Sequence, residues 1–379
     1  MTLYVGLNSG TSMDAVDAVL VDLSERLPRI VAYHETPYTE DVRATLLAAR
    51  KLGAVLPLRE CMRLDVELGR LFAQAALQVV AEGRARARDI RAIGSHGQTI
   101  WHNPDGDAPS TLQIGDPNVI AARTGIQTVT DFRRMDVALG GQGAPLAPAF
   151  HKACFHDATA DRAIVNIGGI ANLTVIPAAQ SLPVTGHDTG PGNCLLDDWA
   201  MTHLGQPCDR DGSWAAAGRP LQPLLAVLLA DPYFSRPPPK STGREYFNLD
   251  WLRRHLDDVR APAVDVQATL RELTAASIAN AVLAARPAVV DVFVCGGGAY
   301  NGGLMRALAA RLPGKRVETT AAAGLPPDRV EAVMFAWLAC CRIEGRCGNL
   351  PAVTGARQSA VLGGIYLPPA PDGGEAIRR

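Results

Sequence analysis

Hydrophobic and polar positions in the first hundred residues alternate between a strand-like and a helix-like period. Within residues 4–22 two runs of strand-forming character flank a turn of Ser, Gly, Thr and Asp, with Gly10, Thr11 and Ser12 in it, so the pattern predicts a β-hairpin with a polar tip. Residues 29–34 supply a third strand, and 42–52 read as a helix. From 60 to 81 the apolar positions Met62, Leu64, Leu68, Leu71, Phe72, Ala75, Ala76 and Val79 recur at helical spacing, with Gly83 as the stop. Residues 90–94 then form a short buried strand ending at Ser95-His96-Gly97-Gln98-Thr99, and further strand-and-turn units occupy 111–116 and 126–131.

A second hairpin is predicted over 163–176, with Gly168 and Gly169 at its tip. It repeats the first in pattern rather than in alignable sequence. Residues 194–204 read as a helix stopped by Gly205 and capped by Asn193, and the Gly/Pro-rich turn before it carries Asp188. An amphipathic helix is expected over 269–285, then a buried strand over 290–295 that enters Gly296-Gly297-Gly298-Ala299-Tyr300-Asn301 and a helix to Leu312. The last substantial helix begins at 328 and holds Glu331 in its first turn, where a carboxylate complements the helix dipole. Residues 132–146, rich in glycine and charge, are expected outside the core, and the tail 369–379 is expected to be disordered.

A chain of 379 residues exceeds one compact core. Two domains are expected: 1–130, completed by 355–368, and 131–354. The net charge of -1 offers no basic excess for nucleic acid or an acidic membrane surface, so the expected partners are small molecules. Without an apolar run of about 18 residues or a signal pattern at the start, a cytoplasmic protein is expected. The eight cysteines form no CxxC pair and no zinc spacing, so they read as reduced thiols, several of them in the core.

Chemistry concentrates at the predicted strand ends. Backbone N–H groups around Gly10, with the Thr11 and Ser12 hydroxyls, can surround phosphate oxygens. Asp14 and Asp17 would repel phosphate unless a cation lay between, so Mg²⁺ is assigned to Asp14, directly or through water. An ordinary Asx/Ser turn is the alternative reading of this stretch. His96 and Gln98 follow a strand at its carboxyl end, where open α/β sheets bind ligands. An arginine of 132–146 could clamp a carboxylate or phosphate, or the segment could be a solvated connector. Asp188, rigidly presented, suits a general base. No GxxxxGK[ST] occurs at 240–248 or elsewhere, and Asn301 breaks a GxGxxG match, which argues against P-loop and Rossmann sites.

Taken in order, Ser9-Gly10-Thr11-Ser12-Met13-Asp14 with Asp17, Gly94-Ser95-His96-Gly97-Gln98-Thr99, Asp131-Phe132-Arg133, Gly140-Gly141-Gln142-Gly143-Ala144-Pro145-Leu146, Asn166-Ile167-Gly168-Gly169-Ile170-Ala171-Asn172, Asp188-Thr189-Gly190-Pro191-Gly192-Asn193 and Lys240-Ser241-Thr242-Gly243-Arg244-Glu245 resemble the anhydro-N-acetylmuramic acid kinase family over nearly the whole chain. The resemblance implies an α/β, two-domain actin/hexokinase/heat-shock-protein-70-like (ribonuclease H-like) fold with an interdomain nucleotide cleft. It also implies opening of the 1,6-anhydro ring by water, coupled to phosphorylation of O6 from ATP with Mg²⁺, in peptidoglycan recycling. Asp188 is then the base. Gly10, Thr11, Ser12, Met13, Asp14, Ala15, Val16, Asp17, Gly168, Gly169, Gly296, Gly297, Gly298 and Asn301 are nucleotide-side positions, and His96, Gln98, Arg133 and Glu331 are sugar-side positions. A homodimer is implied as well. Ala15 replaces a glycine usual in the family, and Asn8 stands where Met is common. Ala15 would strain the turn only if its φ were positive. A conventional sugar or acyl-group kinase of the same fold, and a non-catalytic nucleotide-binding regulator, are the competing readings.

Overall fold

The computed structural model describes residues 1–10, 13, 15–49, 55–256 and 260–370. Among them are thirteen strands: β1 (Leu3–Asn8), β2 (Ala15–Asp22), β3 (Arg29–Pro37), β4 (Ile90–Ser95), β5 (Gln98–Asn103), β6 (Ser110–Ile114), β7 (Thr128–Thr130), β8 (Arg162–Ile167), β9 (Ile170–Ile176), β10 (Thr185–Pro191), β11 (Asp291–Cys295), β12 (Arg316–Thr319) and β13 (Gly364–Tyr366). They fall into two compact units, residues 1–150 with 331–379 and residues 151–330.

The first unit is built on a six-stranded sheet in the order β13-β7-β4-β1-β2-β3. β1 and β2 form the predicted antiparallel hairpin, and β4 lies parallel to β1. The helix Leu58–Glu82 buries Leu64, Leu68, Phe72, Ala76 and Val79, nearly one residue per turn, in the same core cluster as Val5, Leu7, Val16 and Leu20. Each large side chain withdrawn in this way contributes about 1.5–3 kcal/mol. A second helix, Val330–Ile343, meets the sheet at Gly6 and Gly94, which are paired neighbours on β1 and β4. A Cβ at either glycine would collide with a backbone carbonyl of that helix, Ala332 O or Phe335 O. The two missing side chains thus let the helix backbone lie directly on the strands. Glu331 is thereby brought to the carboxyl end of β1, where Asn8 Nδ2 donates to its Oε2 at 3.0 Å.

The unit boundaries fall at 150/151 and 330/331 rather than at the expected 130/131 and 354/355. Asp136 is the physical reason. It lies on the short helix Arg134–Ala138, is 0% exposed, and accepts from Asn349 Nδ2 at 2.6 Å and Thr354 Oγ1 at 2.8 Å. Gly143 N–H donates to its other oxygen at 2.8 Å. The segment 132–146, expected outside the core, is therefore tied to the C-terminal segment by a buried carboxylate. β13 pairs with β7, so the chain end returns to the sheet of the first unit.

In the second unit the sheet order is β10-β9-β8-β11-β12. β8 and β9 form the second predicted hairpin, and β11, buried along its whole length, runs parallel to β8. The helix Ala263–Ala285 differs from expectation in character. Gln267, Thr269, Thr274, Ser277 and their apolar neighbours are all buried, so it is enclosed on most faces rather than amphipathic. Asp188 also differs: it lies within β10, opposite Asn172 on β9, and not in a turn. The run Gly-His-Asp-Thr-Gly-Pro-Gly has no apolar alternation to mark it as a strand, and a bulge between Asp188 and Gly190 breaks its register. Asn193 precedes the helix Cys194–Leu204 without capping it; its Nδ2 donates to Ile167 O at 3.2 Å instead.

All eight cysteines are free thiols, with Cys340 and Cys341 buried as expected. Among the described residues no helix is long and apolar enough to cross a membrane. The tail 371–379, residues 50–54 of the expected helix 42–52, and Thr11, Ser12 and Asp14 of the hairpin tip lie outside the described residues.

Candidate active site

The first unit gathers the residues expected on the sugar side around one cavity of about 330 Å³, lined by Gly10, His96, Gln98, Arg133 and Glu331 together with Asn8 and Ser9. β1 and β4 end there side by side, so residues distant in sequence meet because parallel strands deliver their carboxyl ends to one edge. Arg133 Nε donates to His96 Nε2 at 3.1 Å, and its Nη1 donates to Gly143 O at 2.8 Å. His96 stacks on Phe335 at a centroid distance of 4.6 Å. Burial, and then the Arg133 charge, hold the His96 imidazole well below its usual pKa. The ring is neutral, and an Nε2 that accepts a hydrogen bond assigns its proton to Nδ1. Burial lowers Arg133 to about 10 while Glu331 and Asp136 oppose that fall, so it remains a cation at neutral pH.

Gln98 is locked by a network that sequence reasoning missed. Ser9 Oγ donates to Gln98 Oε1 at 2.6 Å, and Tyr38 Oη donates to Ser9 Oγ at 2.7 Å. Asn8 was legible only as a departure from the family pattern, yet it donates a hydrogen bond to Glu331. No local signal marks Tyr38, because its partners lie 29 and 60 residues away.

The described part of the hairpin tip has a buried side. Met13 has φ 52°, is 1% exposed and packs into the core, so it can offer a ligand only backbone. Ala15 and Val16 are buried strand residues, and Ala15 is not among the residues with positive φ, so its methyl group adds no strain of that kind. Asp17 accepts from Tyr33 Oη at 2.7 Å.

In the second unit Asp188 is the centre. Thr242 N–H donates to its Oδ2 at 3.1 Å, its own N–H donates to Lys240 O at 3.2 Å, and Tyr233 Oη donates to its carbonyl at 2.8 Å. Burial pushes its carboxyl up to about 6, against the opposing Thr242 N–H and with help from the Glu245 charge. Such a group is mostly ionised at pH 7 yet basic enough to take a proton. Thr242, Tyr233 and Glu245 were not singled out from sequence for this environment. Their positions, 45 to 54 residues beyond Asp188 for the two direct hydrogen bonds, conceal it.

The Gly168-Gly169 turn is stapled to the start of the helix Cys194–Leu204, whose Asn193 and Cys194 N–H groups donate to Gly168 O and Gly169 O. The Arg244 guanidinium lies against Gly169, where a Cβ would stand 2.9 Å from its Nε. That puts a cation beside the turn, loosely paired with Asp198 at 3.9 Å. Asp197 on the same helix is raised to about 7 by burial, opposed by Arg244 and reinforced by Asp198, and so is not the ordinary surface carboxylate its position suggests. Gly296 takes φ 79° at the end of β11, Gly297 and Gly298 lie in the 3₁₀ turn Gly297–Tyr300, and Asn301 caps the next helix by accepting from Leu304 N–H at 2.9 Å.

The chain matches the family model for anhydro-N-acetylmuramic acid kinase over residues 2–368. It is similar to the anhydro-N-acetylmuramic acid kinase of Coxiella burnetii (strain Dugway 5J108-111), 51% identical over 363 residues, covering 96% of this chain and 97% of that one. The enzyme of that name from Xanthomonas axonopodis pv. citri (strain 306) is 51% identical over 367 residues, covering 96% and 98%. Among solved structures, similarity extends to the activator of the 2-hydroxyisocaproyl-CoA dehydratase from Clostridium difficile with bound ADPNP, at 13% identity and a TM-score of 0.45, covering 91% of this chain and 96% of that one. The chain belongs to the anhydro-N-acetylmuramic acid kinase family.

Proposed function

We propose that this kinase uses water and ATP to open the 1,6-anhydro bridge of anhydro-N-acetylmuramic acid and to phosphorylate the freed O6, giving N-acetylmuramic acid 6-phosphate and ADP in cell-wall recycling. The observation that carries the reading is Asp188, a withdrawn carboxyl raised to about 6 and held by a single backbone donor to its side chain among the described residues. Asp188 takes a proton from the water that attacks the anomeric carbon. The bond from that carbon to the bridging oxygen breaks, and O6 attacks the γ-phosphorus of ATP as ADP leaves.

The other residues position and neutralise. Arg133, still cationic and fixed by Gly143 O and His96, is the partner for the lactyl carboxylate. Glu331, held by Asn8, and Gln98, held by Ser9, accept from or donate to sugar groups. Backbone around Gly10 and at Gly168 and Gly169 takes phosphate oxygens, with Arg244 adding positive charge. Gly296, Gly297 and Gly298 admit the adenosine moiety by close backbone approach, and Asn301 fixes the start of the helix behind them.

Mg²⁺ fits as an ion that arrives on the triphosphate. Among the described residues no three His, Cys, Asp or Glu side chains converge on a metal site, and Mg²⁺ commonly needs only one or two carboxylates beside phosphate and water. Asp14 is assigned as that carboxylate, and the bound ion supplies charge neutralisation at the transferring phosphate. Dependence on ATP assigns the reaction to the cytoplasm.

The test is incubation with ATP, Mg²⁺ and the anhydro sugar in water enriched in heavy oxygen, with control for later exchange at the anomeric position. A phosphorylated product carrying one heavy oxygen is expected. A phosphorylated product that retains the anhydro mass would mean a conventional sugar kinase and would overturn the hydrolytic role of Asp188.

A further inference from the structure

A second cavity, of about 340 Å³, lies in the second unit behind the strand that carries Asp188. Alternate residues of a strand face opposite sides of its sheet. His187 and Thr189 line this cavity and Asp188 between them does not. Ser277 and Asn280, on the helix Ala263–Ala285, form another wall, and Arg236 and Lys240 bring positive charge from the segment that follows Phe234. Most of the remaining surface is proline, alanine, leucine and phenylalanine, and no carboxylate contributes to the described lining.

Three side chains of that lining have no carboxylate partner among the described residues. His187 is 8% exposed, and neither ring nitrogen has a hydrogen-bond partner among the described residues. The Lys240 ammonium donates to Tyr233 O and Phe234 O, each at 3.2 Å, and lies over the Tyr233 ring at 4.8 Å, but it meets no carboxylate among the described residues. Arg236 makes no ion pair among the described residues. A mostly buried imidazole and two cations, beside Thr189, Ser277 and Asn280 and with no carboxylate in the described lining, make a site rich in donors and positive charge. The matching ligand is an anion with several acceptor oxygens on a small carbon body, in a space of the size that small-molecule sites use.

We infer that this cavity is a binding site for a small phosphomonoester, whose phosphate is held by Arg236, Lys240 and His187 and whose carbon body lies against the apolar wall. The site is separate from the one assigned to the kinase reaction, and the inference does not depend on that assignment. Inorganic phosphate is the probe. The full chain would be titrated with sodium phosphate at constant ionic strength while the histidine ring signals are followed by long-range proton–nitrogen NMR, with His187 assigned through His187→Gln. The expected result is a saturable shift of the His187 signals that chloride does not produce. In Arg236→Gln, a change at an exposed side chain, the phosphate concentration for half-saturation should rise at least tenfold. His187 signals that phosphate leaves unmoved, or a titration that Arg236→Gln leaves unchanged, would overturn the site. Phosphate bound at the glycine turns would not follow Arg236, so the two locations are told apart.

Discussion

Asp136 in the first unit and Asp188 in the second are both withdrawn from water, but their carboxylates are satisfied very differently. Asp136 accepts from Gly143 N–H, the Asn349 amide and the Thr354 hydroxyl. Among the described residues the Asp188 carboxylate accepts from Thr242 N–H alone, and the Glu245 charge adds to the burial that raises it. The same side chain is thus held in two ways. Where donors converge, a buried carboxylate is a latch that holds loop to chain end; where they are withheld, it keeps the basicity that the general-base role proposed for Asp188 requires.

The strongest way to break this comparison is Asp188→Asn. Turnover should fall about a thousandfold, in the range expected for loss of a general base, while binding of a fluorescent ATP analogue stays nearly unchanged. Stability should move the other way or not at all. The folded-state pKa of about 6 lies above the ordinary aspartate value of 3.8, so ionised Asp188 is disfavoured in the fold. That penalty is present above about pH 6 and vanishes as pH falls below the unfolded value; Asn removes it at pH 7.5. A thermal midpoint well below wild type in Asp188→Asn would contradict the contrast.

Asp136→Ala should show the opposite profile. It leaves the donors of Gly143, Asn349 and Thr354 without their acceptor in a buried site, and unfolding in urea should report a loss of about 3 kcal/mol or more. Turnover per folded molecule should fall by less than tenfold. The smallest effect belongs to Glu245→Gln. Removing that negative charge lowers the Asp188 pKa, so the acid limb of kcat/KM moves to lower pH, and a limb displaced upward would reverse the assigned electrostatics.

Legibility in the sequence followed locality. Both hairpins, the helix Leu58–Glu82 and the strand β11 were readable because burial on one or both faces leaves a periodic apolar signature. The helix Ala263–Ala285 was readable as a helix but not in its surroundings, since threonine, serine and glutamine look exposed until other elements cover them. Asp136 looked solvated for the same reason: its partners Asn349 and Thr354 come more than 200 residues later. His96 and Gln98 were placed by a strand end and Asp188 by a Gly/Pro-rich turn, whereas the sugar-side roles of His96, Gln98, Arg133 and Glu331 came through resemblance to a family. The pairing of Arg133 with His96, and of Asn8 with Glu331, emerges only once β1 and β4 lie side by side under the helix that follows residue 329.

The most direct test of a burial-tuned base is the pH dependence of kcat/KM for the anhydro sugar in the wild-type chain between pH 5 and 8. Protonation of Asp188 should bring a fall below about pH 6 that approaches tenfold per unit. A profile that stays flat down to pH 5 would contradict the account, because the carboxylate doing the work would then be an ordinary, well-solvated one.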